Sequence, residues 1–161
     1  MRVQELLDCL HREIEIAQRI VEQLGAQHRA LLELDLAGLE ASVPVLDGLS
    51  AELAAAGQRR LEVVRALAAG QELPADAPLG APAALLPEPA RGELEQARVR
   101  LAALLEDIYH QNHANYLLIL NAARFNRAIL QYIAGTTATY AQDGAAGEAG
   151  ASAAVLLDRK A

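Results

Sequence analysis

The residues best suited to chemistry crowd into one short stretch, "EDIYHQNH", where Glu106, Asp107, His110 and His113 follow one another. On a helix, Asp107, His110 and His113 stand at i, i+3 and i+6, and Glu106 lies one turn before His110. Imidazole and carboxylate groups at such spacing could hold a metal ion. Helical di-iron bundles, however, need two Glu-x-x-His motifs and two further carboxylates from facing helices. The chain holds no Glu-x-x-His, and no second segment repeats the arrangement. The expectation is a polar patch with neither metal nor cofactor.

Other catalytic chemistry finds little support. Cys9 is the one cysteine. It has no His-Asp or His-Asn pattern beside it and no feature that would lower a thiol pKa. It cannot form an internal disulfide, which suits a reducing compartment. "GAAGEAG" has glycines but no preceding strand, so it reads as a linker rather than a phosphate loop. The expectation is a protein that binds other proteins, not an enzyme.

Composition limits the partners. The net charge is −7, a poor basis for gripping nucleic-acid phosphates, so no nucleic-acid binding is expected. The acidity is uneven. Residues 91–135 set Arg91, Arg98, Arg100, Arg124 and Arg127 against only Glu93, Glu95, Glu106 and Asp107, and form the least acidic segment. The opening "MRVQELLDCLHREIEI" has charges every few residues and no apolar core of signal-peptide length. Runs such as "YLLIL" fall far short of the ~20 residues that span a bilayer. A cytoplasmic protein without direct membrane insertion is expected.

The elements that position these residues are helices. Apolar residues make up 53% of the chain but aromatics only 3%, so alanine and leucine, both strong helix formers, carry the apolar content. Val3, Leu7, Leu10, Ile14, Ala17, Val21, Leu24, His28 and Leu31 keep a 3-4 spacing and predict a first helix over about 2–34. Asp35 can cap a following turn. Leu46, Leu49, Leu53, Ala56, Leu61, Val64 and Leu67 predict a second helix over about 36–69. Ser42 and Pro44 leave open whether it begins near Leu36 or near Ser42, since proline suits a first turn and harms an interior. Residues 70–89 hold five of the six prolines and read as a linker. Leu94, Ala97, Leu101, Leu104, Ile108, Gln111, Asn115, Leu118, Ala122, Phe125, Ile129 and Tyr132 predict a third helix over about 90–134, with Gly135 as its stop.

The expected fold is all-α: an antiparallel up-down-up bundle of three long helices with coiled-coil character over residues 1–135, then a flexible C-terminal tail over 136–161. His28, Gln111 and Asn115 interrupt the seams as polar residues that fix register. At 1.5 Å per residue the first helix spans roughly 47 Å and the third roughly 67 Å, so the third has more apolar face than its partners can cover. Its end, "NYLLILNAARFNRAILQYI", then offers a partner site built on Leu118, Phe125, Ile129 and Ile133. The tail adds a second apolar group, Val155, Leu156 and Leu157, able to anchor on the same partner. The same stripe would also permit a homodimer.

Several stretches together resemble the flagellar export chaperone family FlgN. "VQELLDCLHREIEIAQRIVEQL" is similar to the family's leucine-rich opening, and "HRALLELDLAGLEASVPVLDGLSAEL" to its Asp-Leu-x-x-Leu turn between the first two helices. "YHQNHANYLLILNAARFNRAILQYI" resembles the family's Asn-containing third helix. "TYAQDG" followed by "AAVLLDRKA" resembles its Tyr-x-x-x-Gly tail and apolar-basic tip, the more specific part of the likeness. One departure is "SVPVLDG", where the family often has Glu and Lys; it bears on where the second helix starts.

The resemblance implies a cytoplasmic chaperone of the type III flagellar export apparatus. Its clients would be the hook-filament junction (hook-associated) proteins, held by their C-terminal helices and kept from premature assembly. Its second partner would be the cytoplasmic domain of the export gate protein. In the family the tail tyrosine serves that docking; the matching position is Tyr140, with Asp143 and Gly144 completing the motif. The heptads by themselves are also compatible with a self-associating structural helical module.

Overall fold

The computed structural model describes residues 2–70 and 86–142, with side chains over 3–70 and 86–134. The described chain is all-α: α1 spans Arg2–Glu33, α2 Leu36–Gly70 and α3 Ala90–Gln142, with no strand among the described residues. It divides into two units, Met1–Leu117 and Leu118–Ala161. Most of the proline-rich segment, along with Asp143, Gly144, Val155, Leu156 and Leu157, lies outside the described residues, as does the Tyr140 side chain.

The turn between α1 and α2 is set by two adjacent residues. Leu34 adopts the left-handed backbone conformation, φ 57°, which lets the Asp35 N–H reach back to the Ala30 carbonyl at 2.9 Å and close the end of α1. Asp35 then caps α2. Its Oδ1 accepts from the Gly38 N–H at 3.0 Å, and its carbonyl accepts from the Leu39 N–H at 3.0 Å. A Cβ at Gly38 would run into the Asp35 carboxylate and stand 3.4 Å from the Ala30 Cβ, so the cap needs a glycine there.

The start of α2 is thereby settled at Leu36, and Pro44 lies inside the helix. A proline there cannot donate to the Glu40 carbonyl and crowds it. The third helix also differs from expectation, for it runs through Gly135 to Gln142. A glycine ends a helix by turning to positive φ, and no described glycine does so. The alanine- and threonine-containing turn beyond it continues the helix.

The core belongs to the first unit. One cluster joins Leu6, Leu7, Leu10, Ile14 and Ala17 of α1 to Val63, Val64 and Leu67 of α2 and to Leu94, Ala97 and Leu101 of α3. A second joins Ile16, Ile20 and Leu24 to Leu49, with Leu46, Leu53 and Ile108 against it. Helix α1 therefore buries two stripes, not the single seam its spacing suggested. The second stripe runs through Leu6, Glu13, Ile16, Ile20, Gln27 and Ala30.

Cross-helix polar contacts join the first and middle parts of α1 to the middle and later parts of α2, and the end of α1 to the first turns of α2. Glu5 pairs with Arg59, Glu13 with Arg60, Arg12 and Arg19 with Glu52, and Gln27 with Ser42. Glu13 is only 4% exposed. Its carboxylate accepts from Arg60 Nε at 2.7 Å, which meets the requirement that a buried charge be paired. Arg60 thus takes the seam position that Leu61 was expected to hold, and Leu61 is exposed. No described helix is long and apolar enough to cross a membrane.

Candidate functional site

The polar stretch after Glu106 lies on the surface of α3. His110 Nε2 stands 3.7 Å from Glu106 Oε1. The Tyr109 ring lies nearly parallel to that of His113, 6.3 Å between centroids, and meets His110 edge-on at 5.6 Å. Among the described residues no three of His, Cys, Asp and Glu come together in a group that would hold a metal ion. Cys9 is half-buried. Burial pushes its thiol pKa up, and the nearby Arg59 only partly opposes that shift, so the protonated thiol is favoured.

The polar seam residues form one directed hydrogen-bond chain across all three helices. Asn115 is buried. Its Nδ2 donates to the Leu24 carbonyl at 3.0 Å and to Gln27 Oε1 at 3.1 Å. With both amide hydrogens committed, its Oδ1 accepts, so His28 Nδ1 is the donor across 2.8 Å. Gln27 Nε2 in turn donates to Ser42 Oγ at 3.1 Å, and Ser42 donates to the Leu39 carbonyl at 2.7 Å. Each bond in the chain polarises the next. The network locks Asn115 of α3 opposite Leu24–His28 of α1 and Ser42 of α2, a structural role. Sequence reading found His28 and Asn115 but missed Gln27 and Ser42. Their signal was a polar residue at seam spacing on the second stripe of α1 and on the first turns of α2.

The other expected seam residue, Gln111, is half-buried. Beyond it the predicted seam of α3 changes character. Leu94, Ala97, Leu101 and Asn115 are buried, and Leu104, Ile108 and Leu118 half-buried. In the second unit, Ala122 is exposed, Phe125 is 67% exposed, Ile129 40% and Ile133 50%. These residues recur at i, i+3 and i+4, so Leu118, Phe125, Ile129 and Ile133 share one helix face. Several large apolar side chains exposed side by side on a helix provide a surface for another helix to cover. At Tyr140 the backbone is still helical, within the last turns of α3.

A family model described as FlgN protein matches residues 1–148 of the chain. Comparison with curated proteins and with solved structures gives no match. The family match takes in all three helices, the buried polar network and the exposed end of α3, and the chain accordingly belongs to the FlgN protein family, whose role is that of flagellar export chaperones.

Proposed function

We propose that the protein is a cytoplasmic type III flagellar export chaperone that binds the C-terminal helices of hook-filament junction proteins, prevents their premature assembly and delivers them to the export gate. The observation that carries this is the exposure of Phe125, Ile129 and Ile133 on one face of α3, with the half-buried Leu118 at its head. An amphipathic client helix laid along that face would remove both apolar surfaces from water. The chemistry needed is binding and release, with no catalytic step.

In this reading the three helices of residues 1–135 form an up-down-up bundle with a coiled-coil seam that presents α3. The pairing of the first part of α1 with the later part of α2, and of its end with the first turns of α2, supports it, as does the bonding of Asn115 to Leu24, Gln27 and His28. Residues 136–161 act in binding: Val155, Leu156 and Leu157 add apolar anchors on the client, and Tyr140, Asp143 and Gly144 dock on the cytoplasmic domain of the gate protein. A tyrosine suits that task because its ring fills a pocket at small entropic cost while its hydroxyl keeps a polar partner.

The test is co-expression with the C-terminal segment of a junction protein. The native chain is expected to co-purify with the segment. Phe125→Asp should lose it while keeping the helical content of the native chain, and Tyr140→Ala should keep the client and lose the gate domain. Undiminished client capture by Phe125→Asp would remove the proposed face from consideration. The exposed stripe also suits pairing of two copies, and a second reading is a self-associating helical module. Light scattering that finds a stable dimer indifferent to the client segment would favour that reading.

A further inference from the structure

The second unit carries another row of residues at helical spacing beside the face proposed for the client. Ile119, Ala123, Asn126 and Leu130 follow one another at 4, 3 and 4 residues, the spacing of a coiled-coil seam. At about 100° per residue this row is turned by roughly a quarter to a third of the helix circumference from Phe125 and Ile129. Ile119 and Leu130 are exposed. Ala123, Asn126, Arg127, Leu130, Gln131 and Ala134 line a groove on this side. The alanines permit close approach of a second backbone, and Ile119 and Leu130 supply knobs on either side of them.

Charge identifies the occupant. Between Asp107 and Asp143 the chain has no acidic residue, although the whole protein carries −7. Arg124 and Arg127 are the arginines of this stretch; both are exposed, and neither is in an ion pair among the described residues. Arg12, Arg19, Arg59, Arg60, Arg91 and Arg98 each have a carboxylate, whereas Arg29, Arg65 and Arg100 share the unpaired state of Arg124 and Arg127 among the described residues but lie in stretches that hold acidic residues. Arg127 lines the groove itself, and Arg124, three residues before it, stands on the same side of the helix. A second copy of this stretch would bring arginine to arginine with no carboxylate to offer.

We infer that this second face binds an amphipathic helix whose apolar stripe is flanked on one side by carboxylates, which pair with Arg127 and Arg124. Because the arginines lie on one side of the groove, they also select the direction of the bound helix. Reversing that helix in the plane of contact would carry its acids to the wrong flank. The inference rests on the reading of α3 as a partner-binding helix, but assigns a face distinct from the Phe125 stripe and a charge to what covers it.

The probes are three synthetic amphipathic helices with identical leucine stripes and one flank of Glu, Gln or Lys, titrated into the full chain. The Glu peptide is expected to bind about three- to tenfold tighter than the Gln peptide at low salt, and the Lys peptide weakest. The difference should vanish at ~0.5 M salt, where exposed pairs are screened. Arg124→Glu/Arg127→Glu should reverse the order of the Glu and Lys peptides, and Leu130→Asp should weaken all three. Equal affinity for the three peptides, or no binding of any, would overturn the inference. So would tighter binding by a chain ending at Gln142, which would make the protein's own remaining segment the occupant. Binding to phosphatidylglycerol vesicles that Arg124→Glu/Arg127→Glu abolishes would assign the face to a membrane instead. If Phe125→Asp alone abolishes peptide binding while Leu130→Asp and the arginine variant do not, the client face stands and the second face falls. If none of these variants matters, both fall.

Discussion

Asn115 and Glu13 show how much single polar side chains decide in a core built mainly of leucine, isoleucine and alanine. Asn115 uses both amide hydrogens and its oxygen inside the first unit. Asn115→Leu would leave Gln27 Oε1 without its donor and the His28 Nδ1–H without its acceptor, and is expected to cost about 2–3 kcal/mol in urea unfolding, through those unmet bonds. Glu13 and Arg60 form the other polar point. Arg60→Leu leaves a buried carboxylate unpaired and should cost about 3 kcal/mol, whereas Glu13→Leu/Arg60→Leu together should recover most of that loss. A double-mutant cycle checks this; a double variant no better than Arg60→Leu would mean that the pair contributes packing rather than charge compensation.

At the level of elements, the ends of the helices hold the cheapest gains and losses. Leu34 occupies a backbone region that costs an L-residue roughly 1–2 kcal/mol and glycine almost nothing. Leu34→Gly is therefore expected to raise the unfolding midpoint, net of glycine's greater freedom when unfolded, while Asp35→Ala should lower stability by ~1 kcal/mol through loss of the cap. Thermal unfolding of the two variants separates these signs. The start of α3 depends on pH. The Arg91 hydrogen bond, and after it the Gly92 N–H, hold the Glu88 carboxyl below its usual range. Its contribution is present above the unfolded-state pKa and is lost as pH falls through the lower folded value. Protection of the Gly92 amide, taken relative to its intrinsic exchange rate at each pH, should fall on acidification in the native chain, and Glu88→Gln should remove that pH dependence.

The elements were legible to different degrees, for physical reasons. The 3-4 spacing revealed all three helices because leucine and alanine repeat with few β-branched interruptions. It showed one stripe of α1 where two are buried, since the second, through Leu6, Ile16 and Ile20, includes Glu13 and Gln27, whose burial depends on Arg60 and Ser42 of α2. Leu61 was assigned to the seam over Arg60 because a hydrophobic residue is the safer guess wherever its buried partner charge is unseen. Gly135 read as a stop and Pro44 left the start of α2 open, yet both lie within helices. For Pro44, the Asp35 cap and the burial of Leu49 outweigh one lost bond; for Gly135, nothing turns the chain to positive φ. Beyond Ala122 the row of large apolar residues on α3 was legible because Phe125, Ile129 and Ile133 keep the helical spacing; their exposure depends on packing that spacing alone does not give.

For the whole molecule, the buried and exposed parts of one seam divide the work. Up to Asn115 the seam of α3 is committed to α1 and α2, and from Ala122 onward its large side chains face water. Leaving Phe125, Ile129 and Ile133 uncovered costs solubility and gains nothing for stability, which is why the exposure reads as a place for a client. Their removal should leave the fold intact, because none of them belongs to either core cluster.

Titration calorimetry of the full chain with a junction-protein C-terminal segment, run at several temperatures, tests this most directly. Burial of the stripe should give a negative heat-capacity change on binding. In Phe125→Asp/Ile129→Asp, affinity should fall at least about tenfold, the loss of two apolar anchors at about 1.4 kcal/mol per decade. Its circular dichroism and unfolding midpoint should match those of the native chain. Native-like affinity and heat capacity in that variant would contradict the assignment of the client to this face.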